Sequence, residues 1–225
     1  MITNTTKPKK GKNKEETPSR GETLPEADQP VAPEDRNMIM DMLASATKTV
    51  HMTGIYGDVN EVKAQEACFS LLLFRKDIMH ELPEGEDPGI IEFFVSTFGG
   101  QASEMFSVYD VMRYVREDMP IVTCGIGKVM SAGVLLLAAG TKGRRKIGQH
   151  CRVMIHGVNS GHSGYIADME NEFAETKFTQ KQYVAALAAE TDMTPAYIRK
   201  LMGKKTNVYL DAQQAVDLGI ADIIV

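Results

Sequence analysis

Residues 121–140 read Ile121-Val122-Thr123-Cys124-Gly125-Ile126-Gly127-Lys128-Val129-Met130-Ser131-Ala132-Gly133-Val134-Leu135-Leu136-Leu137-Ala138-Ala139-Gly140. Ile121–Gly125 is a short apolar run of strand length, and Pro120 before it stops whatever helix precedes. A small-residue loop follows from Gly125 to Gly133. It opens an apolar helix over Ser131–Ala139 that Gly140 closes. A strand delivered through a glycine-rich turn into a helix with no polar face is the unit of a layered α/β protein, because such a helix has to be covered on all sides.

The same alternation continues on both sides. Val50–Ile55 reads as a strand, and Gly57-Asp58-Val59-Asn60 as a turn. Asn60 then caps a helix to about Phe74 with Ala64, Ala67, Leu71 and Phe74 on one face. Pro83–Gly89 is a polar loop, and Ile90–Ser96 a second strand ended by Gly99-Gly100. A helix from about Ser103 to Glu117 follows, with Met105, Val108, Met112 and Val115 inward. Beyond the central unit come a strand over Arg152–Ile155, a long helix over Tyr165–Glu190, and a shorter one opened by Pro195 and running to about Met202. Strands alternating with helices imply right-handed crossovers and a parallel sheet. Residues 1–37 differ from the rest. They hold five of the nine prolines, a lysine cluster from Lys7 to Lys14 and almost no large apolar side chains. Such a segment buries too little to offset its ordering entropy and is expected to be a disordered tail or a removable propeptide. Residues 38–225 then form one domain, entered through a short helix over 38–49.

Composition narrows the function. A net charge of −5 argues against nucleic acid as the main ligand. The apolar run Val134–Ala139 is far shorter than the roughly 20 residues of a membrane span. The N-terminus has no apolar signal core, which points to the cytoplasm. Cys68, Cys124 and Cys151 lack CxxC spacing and are expected as buried free thiols. The five histidines are scattered, so neither a metal nor another cofactor is expected. Within this frame Ser131 and His156 stand out, 25 residues apart. Serine needs a base to become a nucleophile, and histidine is the usual base near neutral pH. A helix N-terminus offers free N–H groups to a developing oxyanion. Read singly, Ser131 is equally a capping residue and His156 a core histidine bonded to a carbonyl. This is not the G-x-S-x-G elbow, since Val129 stands two residues before Ser131.

Several motifs in order resemble the ClpP serine peptidases, the proteolytic subunits of the Clp protease. They are Ser96-Thr97-Phe98-Gly99-Gly100, Val108-Tyr109-Asp110-Val111-Met112, the Ser131 loop, Arg152-Val153-Met154-Ile155-His156, Asp168-Met169-Glu170, and the ending Tyr209-Leu210-Asp211-Ala212-Gln213-Gln214-Ala215-Val216-Asp217-Leu218-Gly219-Ile220-Ala221-Asp222. The resemblance covers roughly residues 50–225. It implies a crotonase-like spiral of ββα units with a protruding handle helix over Tyr165–Glu190. It also implies Ser131 as nucleophile, His156 as base, and the N–H groups of Gly100 and Ala132 as oxyanion donors. The handle helix, about 39 Å long at 1.5 Å per residue, carries Tyr165, Ile166, Met169 and Phe173 as an apolar stripe, either a core face or an oligomer contact. By resemblance the partners are polypeptide substrates, further copies in heptameric rings stacked in pairs, and an AAA+ unfoldase. The chain itself lacks a G-x-x-x-x-G-K-[ST] loop.

Two departures mark the chain as divergent. Phe98 stands where the family commonly has proline. The family's triad aspartate aligns with Asn207, and no acid occurs from Gly203 to Leu210. Asparagine can hold an imidazole through its carbonyl oxygen but cannot stabilise imidazolium by charge. Thr206-Asn207 also cannot make the family's Arg–Asp pair between rings. The expectation is therefore a Ser131–His156–Asn207 serine endopeptidase acting on unfolded polypeptide inside an oligomeric chamber. The alternatives are a phage-type head-maturation protease, or a catalytically silent structural subunit. A crotonase-type acyl-CoA enzyme shares the fold but has no use for the Ser131/His156 pair.

Overall fold

The computed structural model describes residues 51–83, 86–203 and 206–225. The expected tail over 1–37 and helix over 38–49 lie outside the described residues. The protein is α/β, with helices packed on a largely parallel sheet. In chain order the first elements are β1 (His51–Val59), α1 (Glu61–Glu81), β2 (Ile91–Gly100), α2 (Ala102–Arg116), β3 (Ile121–Met130) and α3 (Ala132–Ala138). They are followed by β4 (Lys146–Ile147), β5 (Arg152–Ile155), α4 (Ile166–Glu190), α5 (Pro195–Met202), β6 (Val208–Leu210), α6 (Ala212–Asp217) and β7 (Ile223–Ile224). The sheet runs β1-β2-β3-β4-β7, and a branch leaves β3 through β5 to β6. Among the described residues all pairings are parallel except β5 with β6.

β3 is the hub because it changes partner along its length. Cys124 and Gly125 pair with β4, whereas Lys128–Met130 pair with β5. Between these halves the register with β2 jumps: Val95 faces Gly125, but Thr97 faces Val129. The two extra residues on β3 are accommodated around Gly127, whose φ of 67° lies in the left-handed region that glycine enters without penalty. The β1–β2 register also slips between Tyr56 and Asp58, by one extra residue that lies on β2. These irregularities turn the second half of each strand away from the first. They explain two differences from the sequence reading. Gly57–Val59 is not a turn but the end of β1, and Gly125–Met130 is not a loop but the second half of β3. Glycine and polar residues suggested chain reversal where the chain in fact bends and continues.

The caps follow local chemistry. Asn60 Oδ1 accepts from the Lys63 N–H at 3.1 Å, and Thr194 Oγ1 from the Tyr197 N–H at 3.2 Å ahead of Pro195. Asp211 and Gln214 form a reciprocal capping box on α6. The expected inner faces of α1 and α2 are buried at Ala64, Ala67 and Leu71, then Met105, Val108, Met112 and Val115, while Phe74 is only partly buried against the core. α1 runs about two turns past Phe74, to Glu81. All seven residues of α3 are buried. α4 divides. Its last turns bury Tyr183, Val184, Leu187 and Glu190, whereas Tyr165 is 85% and Phe173 60% exposed. Among the described residues the apolar stripe at its start is therefore not a core face.

The C-terminus closes on Arg145. Its guanidinium makes a bidentate pair with Asp222, which also accepts the N–H groups of Gly143 and Arg145. Burial alone would raise the Asp222 carboxyl. The hydrogen bonds and charge of Arg145, with the Gly143 N–H, outweigh it and hold the carboxyl below its ordinary 3.8. A carboxyl depressed in the folded state contributes in full above that ordinary value, and the contribution fades as pH falls through the lower, folded one. Asp222→Asn is expected to cost about 2–4 kcal/mol at pH 7 by stranding a buried guanidinium. In urea melts the deficit should shrink as the pH is taken below 4; a deficit independent of pH would contradict the pairing.

Candidate active site

Ser131 and His156 each follow a strand that ends on the same side of the sheet. β3 ends at Met130 and β5 at Ile155, and the parallel register pairs Met130 with Met154. The residue after each strand is therefore delivered to one spot at the carboxyl ends, where open α/β sheets place their sites. Ser131 Oγ lies 2.7 Å from His156 Nε2. That is the separation for transfer of the serine proton to the imidazole.

Ser131 is held in a conformation that L-residues avoid. Its φ is 54° and its ψ −118°, and among the described residues no other non-glycine has positive φ. Such a backbone costs about 1–3 kcal/mol and persists where its surroundings over-determine it. They do so here. The Ser131 N–H donates to the Met154 carbonyl at 2.8 Å. The Ser131 carbonyl accepts from the Val134 N–H at 3.0 Å and from the Tyr183 hydroxyl at 2.9 Å. Gly99 packs directly on its side chain: a Cβ there would stand 2.6 Å from Ser131 Cβ and 3.0 Å from Oγ. Gly99, with φ 107°, is itself fixed by its N–H donating to the buried Thr97 Oγ1 at 2.9 Å.

Gly100, Ala132, Ser131, His156, Met105 and Tyr183 line one small cleft of about 150 Å³. The structure thus brings together four of the five residues singled out from sequence. A larger groove of about 940 Å³ between α2 and α4 shares Gln101, Ala102, Val158 and Asn159 with it. Asn207, the fifth residue, is exposed and shares a second cavity of about 290 Å³ with His156. Its Nδ2 donates to the Tyr209 hydroxyl at 3.5 Å. Among the described residues no carboxylate and no asparagine is hydrogen-bonded to His156. The exposed Phe98 ring is covered by Lys128, whose Nζ is 4.7 Å from its centroid. A cation–π contact therefore braces the end of β2 against β3.

Sequence reasoning missed Gly99 as the seat of Ser131, Tyr183 as its anchor, and Gln180, whose Oε1 accepts the Val158 N–H at 3.2 Å and ties down the segment after His156. Tyr183 and Gln180 lie on α4 and carried no local signal. The thiols offer no competing nucleophile. Burial raises all three, and Cys151 is pushed up to about 11 by burial and then by its neighbour Cys124. What the cleft can do is activate a serine hydroxyl beside backbone donors, the requirement of acyl transfer.

A family model described as Clp protease matches residues 36–225. The chain is 30% identical over 168 residues to the ATP-dependent Clp protease proteolytic subunit 1 of Corynebacterium jeikeium, covering 74% of this chain and 82% of that protein. It is 27% identical over 204 residues to proteolytic subunit 3 of Nocardia farcinica, covering 87% and 89%. Similarity to proteolytic subunit 4 of Rhodococcus jostii is 31% over 135 residues, 60% of this chain and 68% of the relative. Among the described residues no helix is long and apolar enough to cross a membrane.

The packing of Ser131 on Gly99 makes a sharp expectation. Gly99→Ala has to displace the serine side chain or its backbone. Uptake of an electrophilic serine probe at Ser131 should fall about a hundredfold, the cost of misplacing a reacting atom by about 1 Å. Unaltered labelling kinetics would show that the Oγ position is not set by this contact.

Proposed function

The chain belongs to the Clp protease family, and we propose that within it this protein is a serine endopeptidase with Ser131 as nucleophile and His156 as general base. The supporting observation is the 2.7 Å approach of Ser131 Oγ to His156 Nε2 at a strained, over-determined serine. In the acylation step Oγ attacks the scissile carbonyl carbon and His156 Nε2 takes the hydroxyl proton. The carbonyl oxygen takes up negative charge facing the N–H groups of Gly100 and Ala132. The C–N bond then breaks, and the amine leaves with the proton from His156. Water, deprotonated by the same imidazole, attacks the ester, releases the acid and returns the proton to Ser131.

The substrate is a segment of unfolded polypeptide laid along the groove between α2 and α4, which joins the cleft at Gln101 and Val158. The exposed start of α4, with Tyr165, Ile166 and Phe173, is the handle through which copies meet as stacked heptameric rings around a chamber in the cytoplasm. An AAA+ unfoldase feeds that chamber, and residues 1–37 form a mobile or removable tail beside the domain over 38–225. The names of the curated relatives favour this role over phage head maturation. Asn207 is the orienting group for His156. The cavity they share is wide enough for water to carry the Nδ1–H bond to the amide oxygen. The lack of a carboxylate on His156 among the described residues supports a second reading, a silent subunit that assembles with an active paralogue.

A fluorophosphonate probe separates these readings. The serine peptidase takes up the probe at Ser131, located by mass spectrometry, and Ser131→Ala lowers peptide hydrolysis about a thousandfold or more while leaving assembly intact. A purified chain that assembles yet takes up no probe is the silent subunit. Asn207→Asp supplies the charge that the imidazolium lacks and is expected to raise the hydrolysis rate per assembled protein about tenfold. An unchanged or lower rate would remove Asn207 from the site.

A further inference from the structure

The Tyr183 hydroxyl reaches from α4 to the carbonyl of Ser131 at 2.9 Å, with the residue only 4% exposed. Burial pushes the phenol well above its ordinary value, so the hydroxyl remains protonated and donates. The carbonyl it binds belongs to the peptide unit whose other end is the Ala132 N–H. That unit is planar and trans, so C=O and N–H point in opposite directions, and fixing one aims the other. The tilt of the plane is set by the Ser131 ψ of −118°, part of a backbone conformation that does not persist without support. The Val134 N–H also reaches this carbonyl, at 3.0 Å, from within α3. It travels with the helix, whereas Tyr183 ties the plane to a separate element.

We infer that Tyr183 is a positioning residue for the oxyanion donor: by anchoring the Ser131 carbonyl it aims the Ala132 N–H at the substrate oxygen, and by polarising that amide it strengthens the donor. The inference rests on the serine-peptidase reading and adds a residue to it. Tyr183 needs no contact with substrate to act in this way. Its effect is therefore confined to the transition state, where the oxygen carries charge, and largely spares the ground-state complex.

Tyr183→Phe removes one oxygen atom and keeps the ring. Peptide hydrolysis should show kcat reduced about ten- to a hundredfold, part of the 10²–10³ carried by an entire oxyanion donor, with KM changed by less than about twofold. The shape of the pH profile of kcat should not change. Affinity for a peptide boronate, whose tetrahedral adduct places an oxygen in the oxyanion position, should fall in step with kcat. A merely structural role would not produce that correlation in a fully assembled protein. Replacement of Tyr183 by 3-fluorotyrosine keeps the hydroxyl as a stronger donor and should hold or exceed the wild-type kcat. If the phenylalanine variant does not assemble, the fluorotyrosine protein carries the test, and a lower kcat there overturns the inference. So does a Tyr183→Phe protein with wild-type kcat, with a change in KM alone, or with undiminished boronate affinity. In those cases the wild type still hydrolyses peptide and takes up fluorophosphonate at Ser131. A wild type that does neither fails the serine-peptidase reading itself, and this inference with it.

Discussion

A helix with no polar face, buried along its whole length, has to find partners for the carbonyls at its C-terminal end without help from water. This constraint on α3 organises the rest of the molecule. Thr123 Oγ1 donates to the Leu137 carbonyl at 2.8 Å. Arg145 reaches the carbonyl of Ala138, and Arg116 those of Ala139 and Gly140. Two guanidiniums at a helix C-terminus also face the negative end of its dipole. Drawn this far inside, each needs a carboxylate. Glu190, at the end of α4, supplies a bidentate partner for Arg116 and accepts the Tyr109 hydroxyl, while Asp222 partners Arg145. One unsatisfied helix end thus fixes α2, the last turn of α4 and the strand that closes the sheet. Buried ion pairs of this kind specify an arrangement more than they add net stability.

The other end of the same helix borders the candidate active site. With its C-terminus immobilised, α3 presents Ser131 and the Ala132 N–H from a rigid body. The strain at Ser131 is absorbed by contacts from three separate elements: Gly99 from β2, Met154 from β5 and Tyr183 from α4. α4 links the two ends. Tyr183 holds the serine, and Glu190, two turns on, holds the arginine that caps the carbonyls. The solvent-exposed first half of α4 is therefore mechanically continuous with the backbone of Ser131.

Much of the layout was legible in sequence because it is written in local periodicity. The three-and-four spacing of α1 and α2 marks their inner faces. The apolar run after Ser131 marks a helix buried on every side. Ser131 at the opening of that helix and His156 just after a strand mark chemistry that local pattern alone leaves open. Local pattern misleads where the sheet coils. Gly57 and Gly127 look like turns, yet they let β1 and β3 bend and continue, and β4 and β7, two residues each, exist only as partners for one another and for β3.

What the sequence by itself determined is therefore the α/β alternation and the candidate pair Ser131 and His156, since both rest on residue type and on spacing along one or two elements. Tertiary structure alone decided how that pair is held. Nothing local to Gly99, Tyr183 or Glu190 announces a role, because each acts on an atom brought to it from a distant part of the chain: Gly99 on a side chain 32 residues on, Tyr183 on a carbonyl 52 residues back, Glu190 on an arginine 74 residues back. The same holds for Asn207, whose place beside His156 depends on β6 pairing with β5. Contacts of that range depend on how the sheet coils and where a buried helix must be capped, and no period in the sequence encodes either.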